Sequence, residues 1–317
     1  MHMVRNPRQP LCDESHPGSK IFQGRASSLP LGPREAMILS PPRPCNERSS
    51  QSTFQTNQTA LVLTPSRREC MWKAGKLFVS RLPDLALVEM PIEIEAGLSD
   101  FLNFERTDVQ FWSYYQSLLG VTDPFLRAAR YSWDLFFQEI RRAKLLKPEL
   151  IVACYGSLQA ELAHARISEK LLAMELRSKI SGIDAQSWRQ YLAEELQQSQ
   201  IDFRTACYHV LRKLRRNLAN AVLWRGSAYP IIKILRGNRF AVQVCFVEHY
   251  LKPPLSALIT LARIRGLSKI TNEQIHAAVG MHLQYLDIVI SSDNLDLAHR
   301  RWENLFRANL KHSSPPV

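Results

Sequence analysis

The chain has 317 residues and a formal net charge of +12, and 45% of its residues are hydrophobic and 22% charged. This composition is typical of a globular protein and excludes a wholly disordered chain. No apolar run approaches the roughly 18 residues of a membrane-spanning helix, and the amino terminus lacks the apolar segment of a secretory signal. The six cysteines form no Cys-x-x-Cys pair, which argues against a zinc ribbon or a disulfide framework and predicts an intracellular, cytoplasmic protein.

Residues 1 to about 80 predict a disordered tail. They hold nine of the eighteen prolines and many serines and arginines, without any apolar period. Such a segment buries too little apolar surface to offset its chain entropy. Two alternatives stay open: the tail is a transit segment for organelle import, since it is poor in acids, or translation starts at Met71 or Met90.

Helical periodicity begins after the tail and predicts a single domain over residues 95–312. Asp123 followed by Pro124 is typical of a helix start, because aspartate caps the first turn and proline needs no N–H there. Further helices are predicted near residues 255–265, 272–291 and 294–311, the last two capped by Thr271 and Asp293.

A longer helix is predicted from Pro148 to Gly182, because glycine suits the left-handed turn that ends many helices. Asp184 and Asp202 are predicted to cap two further helices, and the second of these carries arginines opposite its apolar stripe. The predicted core stripe of the longer helix comprises Leu150, Cys154, Leu158, Leu162, Ala165, Leu172, Leu176 and Ile180.

Residues 231–247 predict a β-hairpin within this helical domain. Two segments rich in β-branched residues flank a Gly237-Asn238 turn, which has the twist that paired strands prefer. A helix through Gly237 is the competing interpretation. The predicted fold class is therefore mainly α: an irregular helical bundle of seven or eight helices with one inserted β-hairpin, preceded by the disordered tail.

Two Glu-x-x-His pairs, Glu161–His164 and Glu273–His276, resemble the ligand pairs of ferritin-like di-iron bundles. The resemblance implies a metal centre only if all four side chains face the bundle interior. A helix turns by about 100° per residue, which throws His164 about 110° off the predicted stripe and turns Glu273 away from its own. No metal ligand, cofactor or catalytic residue is therefore predicted.

Residues 270–290 resemble a helix-turn-helix of the catabolite-activator type, with Gly280 at the turn. The resemblance implies that residues 282–292 read DNA, although this segment has no Lys or Arg to contact phosphates or guanines. One continuous helix is the alternative interpretation.

A fainter resemblance is to bacterial glutamine synthetase adenylyltransferases. It rests, in chain order, on residues 118–126, on residues 211–216 with Trp224-Arg225, and on Gly280-Met281 before residues 291–293. The resemblance implies a nucleotidyltransferase, but the glycines of the family signature are absent, and Asp293 and Asp296 are three residues apart where the family has carboxylates two apart.

Basic residues are concentrated between residues 201 and 270, where 13 of 70 residues are Lys or Arg and only two are acidic. Inert surfaces normally intersperse both signs of charge, so this excess predicts a surface that attracts anions. The predicted anion-binding residues are Arg212, Lys213, Arg215, Arg216, Arg236, Arg239, Arg263 and Arg265.

The leading hypothesis is a non-enzymatic protein that binds nucleic acid. Aromatic residues such as Tyr208 and Tyr229 are interleaved with the basic ones, which favours RNA or single strands over a specific duplex site. The first alternative is a protein–protein adaptor or regulatory domain that docks an acidic partner, and the second is a metal-dependent helical-bundle enzyme or degenerate nucleotidyltransferase. A solvated helix face without a function is the remaining interpretation of the basic residues.

Overall fold

A five-stranded sheet lies at the centre of the computed structural model, which describes residues 58–226, 228–248 and 251–313, with side chains as far as residue 307. All of the strand pairings are parallel, and the order across the sheet is β3-β2-β4-β1-β5. The strands are β1 (Gln58–Leu63), β2 (Leu85–Pro91), β3 (Ile151–Gly156), β4 (Asn220–Trp224) and β5 (Ala241–Phe246).

Ten α-helices connect and cover the strands within the described residues. Short 3₁₀ turns, Ile92–Ile94 and Leu267–Lys269, precede the second and the ninth helix. The helices are α1 (Arg68–Arg81), α2 (Glu95–Leu102), α3 (Asp108–Leu119), α4 (Asp123–Leu146), α5 (Leu158–Ser181), α6 (Ala185–Lys213), α7 (Ala228–Gly237), α8 (Pro254–Arg265), α9 (Asn272–Ile290) and α10 (Leu295–Ser313).

Both faces of the sheet are buried, because successive side chains of a strand point to opposite faces. Ala60 and Val62 of β1 pack in the core that α1 to α4 build on one face. Leu61 and Leu63 pack in the core that α6 and α7 build on the other face. Strands buried on both faces have nearly continuous apolar sequences, as Ala60 to Leu63 does.

The connections between the strands explain why the helices divide in this way. The connections β1 to β2 and β2 to β3 run toward one end of the sheet, and those from β3 to β4 and β4 to β5 run toward the other. Crossovers between parallel strands are right-handed, so connections that run in opposite directions place their helices on opposite faces of the sheet. This is the doubly wound arrangement. The neighbours β2 and β4 have diverging connections, so the topological switch point lies between them.

A third core lies beyond the sheet, where α5 and the first half of α6 pack against α8 and α9. It includes Trp188 and Leu192 of α6, Leu258 of α8, and Ile275 and Val279 of α9. At 1.5 Å per residue, α5 is about 36 Å long and extends well past the strand ends. The part of the chain after β5 is therefore a helical layer attached to α5 and α6.

The predicted helical bundle is wrong, because the protein is an α/β protein with a five-stranded parallel sheet and is not all-α. Residues 151–156, which were assigned to the long helix from Pro148, form β3, and α5 begins only at Leu158. A short apolar run reads equally well as a buried strand or as part of a buried helix. The same ambiguity concealed β1, β2 and β4.

The predicted β-hairpin at residues 231–247 is also wrong. Its first half lies in helix α7, and its second half forms β5, an edge strand that pairs in parallel with β1. Ile231 and Leu235 lie one helical turn apart, and both are fully buried against the sheet. Burial of one helical face here outweighs the strand preference of the β-branched residues.

The predicted disordered tail extended too far along the chain. Residues 58–63 form β1, which lies between β4 and β5, and residues 68–81 form α1. The folded part therefore begins well before the predicted domain start at residue 95. Residues 1–57 of the predicted tail lie outside the described residues.

Three predicted helix ends are confirmed by a local signal, whereas the predicted Asp123 cap is off by one residue, because Thr122 holds the N-cap position of α4. Gly182 ends α5 with a φ of +88°, and the Asp184 carboxylate caps α6 by accepting from two backbone N–H groups. Thr271 forms a capping box at the start of α9. Asp202 caps nothing, because α6 continues through it.

Helix α9 runs unbroken from Asn272 to Ile290. The helix-turn-helix interpretation of this segment is therefore wrong, and the continuous-helix alternative is confirmed. Helix α10 begins one residue later than predicted, since the Asn294 side chain, and not that of Asp293, accepts from the backbone N–H of Leu297.

Candidate active site

A cleft of about 760 Å³ opens at the carboxyl edge of the sheet. Four strands contribute residues where they end: Ser66 follows β1, Glu89 lies near the end of β2, Tyr155 lies in β3, and Arg225 follows β4. Open α/β sheets bind ligands at this edge, beside the topological switch point. Because the switch point lies between β2 and β4, the topology and the cleft indicate the same place, which we call the switch-point cleft.

An ion pair bridges the switch point. The Arg225 Nε donates to Glu89 Oε2 at 2.8 Å, and the two side chains are 22% and 33% exposed. The Arg225 guanidinium also lies 5.2 Å from the ring centroid of Trp133. Burial lowers the pKa of Arg225, but the negative charge of Glu89 and the hydrogen bond to it raise the pKa, which stands above its usual range. Arg225 is therefore a fixed positive charge in the cleft.

Glu161 lies in the first turn of α5 and faces the cleft. The helix starts here because the Ser157 side chain caps it, accepting from the Ala160 N–H at 3.2 Å. Among the described residues, the Glu161 carboxyl has no hydrogen bond or ion pair. Burial raises its pKa, the nearby Arg225 opposes the rise, and the charge of Glu89 adds to it. A carboxyl with a raised pKa in a cleft is a candidate proton donor.

His164 follows on the next turn of α5 and pairs with an aspartate of α6. Its Nε2 lies 3.0 Å from Asp202 Oδ2, at ion-pair distance but without an aligned hydrogen bond. The other oxygen of Asp202 accepts from Gln198 Nε2 at 2.8 Å, which fixes the carboxylate. With Nε2 facing the carboxylate, Nδ1 is the nitrogen left to act as a base.

The antiparallel pairing of α5 and α6 explains how these groups meet. Glu161 and His164 are three residues apart on α5, so their side chains point about 60° apart on the same side of the helix. Asp202 lies in the middle of α6, where that helix passes the start of α5. Two consecutive long helices therefore bring an acid, an imidazole and a carboxylate to one wall of the cleft.

The helical-wheel argument judged His164 against the wrong side of α5, although the side chain is indeed 47% exposed, at the surface of the cleft. The second half of the predicted core stripe is solvent-facing: Leu172, Leu176 and Ile180 are 57%, 54% and 84% exposed. The buried side instead contains Met174, Glu175 and Ser178, and it continues toward the cleft face of Glu161 and His164. The Glu-x-x-His spacing was the sequence signal for this site.

The second Glu-x-x-His pair lies elsewhere. Glu273 and His276 are both exposed on α9 and do not line the cleft. Across the part of the chain that the structure describes, no group of three or more His, Cys, Asp or Glu side chains is placed to hold a metal ion. The geometry of ferritin-like bundles is therefore not reproduced by the described residues.

Part of the cleft lining is apolar and includes Phe203, Ala262 and Leu267. Tyr155 and Trp224 also line the cleft; their rings stack with centroids 5.6 Å apart, and the Tyr155 hydroxyl donates to the Leu223 carbonyl at 2.6 Å. This packing holds the ends of β3 and β4 together. An apolar wall facing a few convergent polar groups is typical of a small-molecule site.

The predicted anion-binding residues do not share one surface. Arg263 lines the rim of the switch-point cleft, and Arg265 follows in the last turn of α8. The other six lie toward the amino edge of the sheet, at the end of α6, in the connection to β4 and in the turn between α7 and β5. Those six are Arg212, Lys213, Arg215, Arg216, Arg236 and Arg239.

Comparisons with known proteins do not assign this chain to a class of protein. No protein-family model matches the chain, and no curated protein or solved structure matches it significantly. None of the helices in the described part of the chain has the length and apolar character needed to cross a membrane. The fold and the cleft define a doubly wound α/β protein with a cleft lined by charged side chains at its switch point.

Proposed function

We propose that this protein is a hydrolase that acts on a small molecule by general acid–base catalysis in the switch-point cleft. The observation that carries the proposal is the convergence of Glu161 with the His164–Asp202 pair on one wall of that cleft. Protein groups that exchange protons with a substrate need this combination of a protonated acid and a neutral base within one site.

The base in this proposal is His164. Its Nδ1 takes a proton from a water molecule, and the water oxygen attacks the substrate. Asp202 holds the ring through Nε2 and stabilises the imidazolium that forms, while Gln198 keeps the carboxylate in place. The contact with Asp202 is at ion-pair distance, and catalytic hydrogen bonds that are poorly aligned without substrate often tighten when substrate binds.

The acid is Glu161. Its raised pKa keeps a proton on the carboxyl at higher pH than an exposed glutamate would, and the leaving group takes that proton as the scissile bond breaks. The proton on His164 then returns to Glu161 through solvent, which restores the starting state. Arg225 supplies a fixed positive charge for negative charge that develops on the substrate, and Glu89 holds the guanidinium in position.

The test is hydrolysis by the full chain of nitrophenyl esters, phosphates and glycosides, compared with Glu161→Gln, His164→Gln and Asp202→Asn. Each variant is expected to lower kcat by about 10² to 10⁴, the contribution of a positioned acid or base. Glu169→Gln is the matched control on α5 and His276→Gln is the control on α9, because both side chains are exposed outside the cleft.

The pH profile separates catalysis from folding. In the wild type, kcat is expected to fall as the pH rises through the pKa of Glu161, because the proton donor is then lost. The Glu161→Gln variant should lack that limb while still unfolding in one cooperative transition, which shows that the fold is retained. If Glu161→Gln and His164→Gln hydrolyse the same compounds at wild-type rates, the chemistry does not occur on this wall.

A further inference from the structure

The amino edge of the sheet carries a charged surface that is distinct from the switch-point cleft. Every side chain in it is exposed, and none has an ion-pair partner among the described residues. Inert surfaces intersperse both signs of charge, so a group of unpaired cations marks a place where an anion is attracted. We call this set the amino-edge surface: Arg212, Arg215, Arg216, Arg236 and Arg239.

Two separate chain segments are joined in this surface. The Arg216 Nη2 lies 3.5 Å from the Asn238 carbonyl oxygen, so the connection before β4 touches the turn before β5. Arg239 projects from that turn with a φ of +63°. The arginines of the two segments therefore form one surface, although Arg216 and Arg236 are 20 positions apart in the chain.

Two acids that contact the segments carrying this surface are already used by other groups. Asp84 at the same edge pairs with Lys147 at 2.5 Å and accepts from the backbone N–H of Ala219 at 2.6 Å. Glu95 pairs with Lys213 at 2.5 Å, which also removes that lysine from the set of unpaired cations. The positive charge of the amino-edge surface thus remains available to a ligand.

Aromatic rings accompany the guanidinium groups. The Arg212 guanidinium lies 5.5 Å from the ring centroid of Tyr208, which is 56% exposed, and that of Arg216 lies 5.9 Å from the half-buried Phe240. Lipid headgroups and acidic peptides have no flat face for such rings. Unpaired bases do, and arginine beside aromatic side chains is the combination that binds single strands without reading their sequence.

We infer that the amino-edge surface binds single-stranded nucleic acid. The five arginines neutralise backbone phosphates, and Tyr208 stacks on a base. Sequence is not read, because the contacts are to phosphates and to the flat faces of bases that all nucleotides share. This activity is independent of the proposed hydrolysis, since the surface lies at the edge of the sheet opposite to the cleft.

The experiment measures fluorescence anisotropy of a labelled oligouridylate of about 20 nucleotides with the full chain, from about 50 to 200 mM salt. Single strands lose about 0.7 log units of affinity per log unit of salt for each phosphate contact, so five contacts predict a slope of about 3.5. The double variant Arg215→Gln with Arg236→Gln is expected to reduce that slope by about 1.4 and to weaken binding to every sequence alike.

The matched control is Arg166→Gln with Arg177→Gln on α5, which removes the same net charge from two other exposed arginines. It should keep the wild-type slope. A second variant, Tyr208→Ala, is expected to weaken binding by about fivefold to 150-fold through lost stacking, without changing the slope. Glu161→Gln should bind like the wild type, which separates this surface from the hydrolase site.

Three results would overturn the inference. One is the absence of measurable affinity at about 50 mM salt, where five phosphate contacts give strong binding. The second is an equal loss of affinity in the control with Arg166→Gln and Arg177→Gln, which would assign the effect to net charge alone. The third is binding to phosphatidylserine vesicles but not to the oligonucleotide, which would assign the surface to an acidic membrane.

Discussion

At the carboxyl edge of the sheet, Arg225 is mostly buried and paired with Glu89, whereas at the amino edge Arg236 and Arg239 are exposed and unpaired among the described residues. Burying a charge costs several kcal/mol unless a partner compensates for the lost water. Exposed charges remain solvated and interact weakly. Substitutions at the carboxyl edge should therefore act through specific partners, and those at the amino edge through total charge.

The largest effect is expected when the buried pair is broken. Arg225→Ala leaves Glu89 without its partner at the switch point and removes the guanidinium that packs on Trp133. Breaking such a pair costs about 3–5 kcal/mol, and the partial exposure of Glu89 favours the lower value. Urea unfolding at neutral pH measures the loss.

A double-substituted chain is the control for that prediction. Glu89→Gln with Arg225→Met removes both charges, so no charge is left unpaired, and it should be more stable than Arg225→Ala. If Arg225→Ala were as stable as the wild type, water would already compensate the charges of Arg225 and Glu89. The two edges of the sheet would then not differ in how they depend on specific partners.

A pH dependence is expected from Glu161. Burial places its folded-state pKa above the ordinary value of 4.5, so the folded protein holds a proton that the unfolded chain has released. Stability is therefore highest below the ordinary value and falls as the pH rises through the folded-state pKa. The Glu161→Gln variant should not show this loss, and its stability relative to the wild type should increase across that window. A constant difference at all pH values would contradict the raised pKa.

Local signals in the sequence located many helix ends but not the sheet. Gly182, Asp184 and Thr271 act through their own backbone geometry or side-chain caps, so a short window is enough to recognise them. The strands of a doubly wound sheet are short apolar runs without alternation, and their pairing partners lie far away in the chain. Thr59, for example, pairs with Asn220 and Val242.

The site was only partly visible for the same reason. The spacing of Glu161 and His164 was recognised, but their direction was judged against an apolar stripe whose second half faces solvent. Nothing local indicates which side of α5 the helices α6, α8 and α9 cover. Glu89 belongs to no motif, Arg225 belongs only to the faint adenylyltransferase resemblance, and only the placing of β2 beside β4 brings the two together.

An intermediate effect is expected at Tyr155, where β3 lines the cleft. Tyr155→Phe removes the hydrogen bond from the buried hydroxyl to the Leu223 carbonyl and keeps the ring stacked on Trp224. The loss of one such bond costs about 1 kcal/mol. Tyr229→Phe is the matched control, because that side chain is 77% exposed, and its unfolding midpoint should not change. Equal midpoints for the two variants would show that the buried hydroxyl does not contribute to stability.

The smallest effect is expected at the amino edge. Arg236→Gln removes an exposed charge without an ion pair, so the free energy of unfolding should change by less than about 0.5 kcal/mol. The expected direction is a slight gain, because neighbouring arginines repel one another, and the gain should shrink as added salt screens that repulsion. Urea unfolding at low and at high salt measures both values. A loss above about 1 kcal/mol that is insensitive to salt would show that the turn before β5 depends on Arg236, and the amino edge would then resemble the carboxyl edge in needing specific contacts.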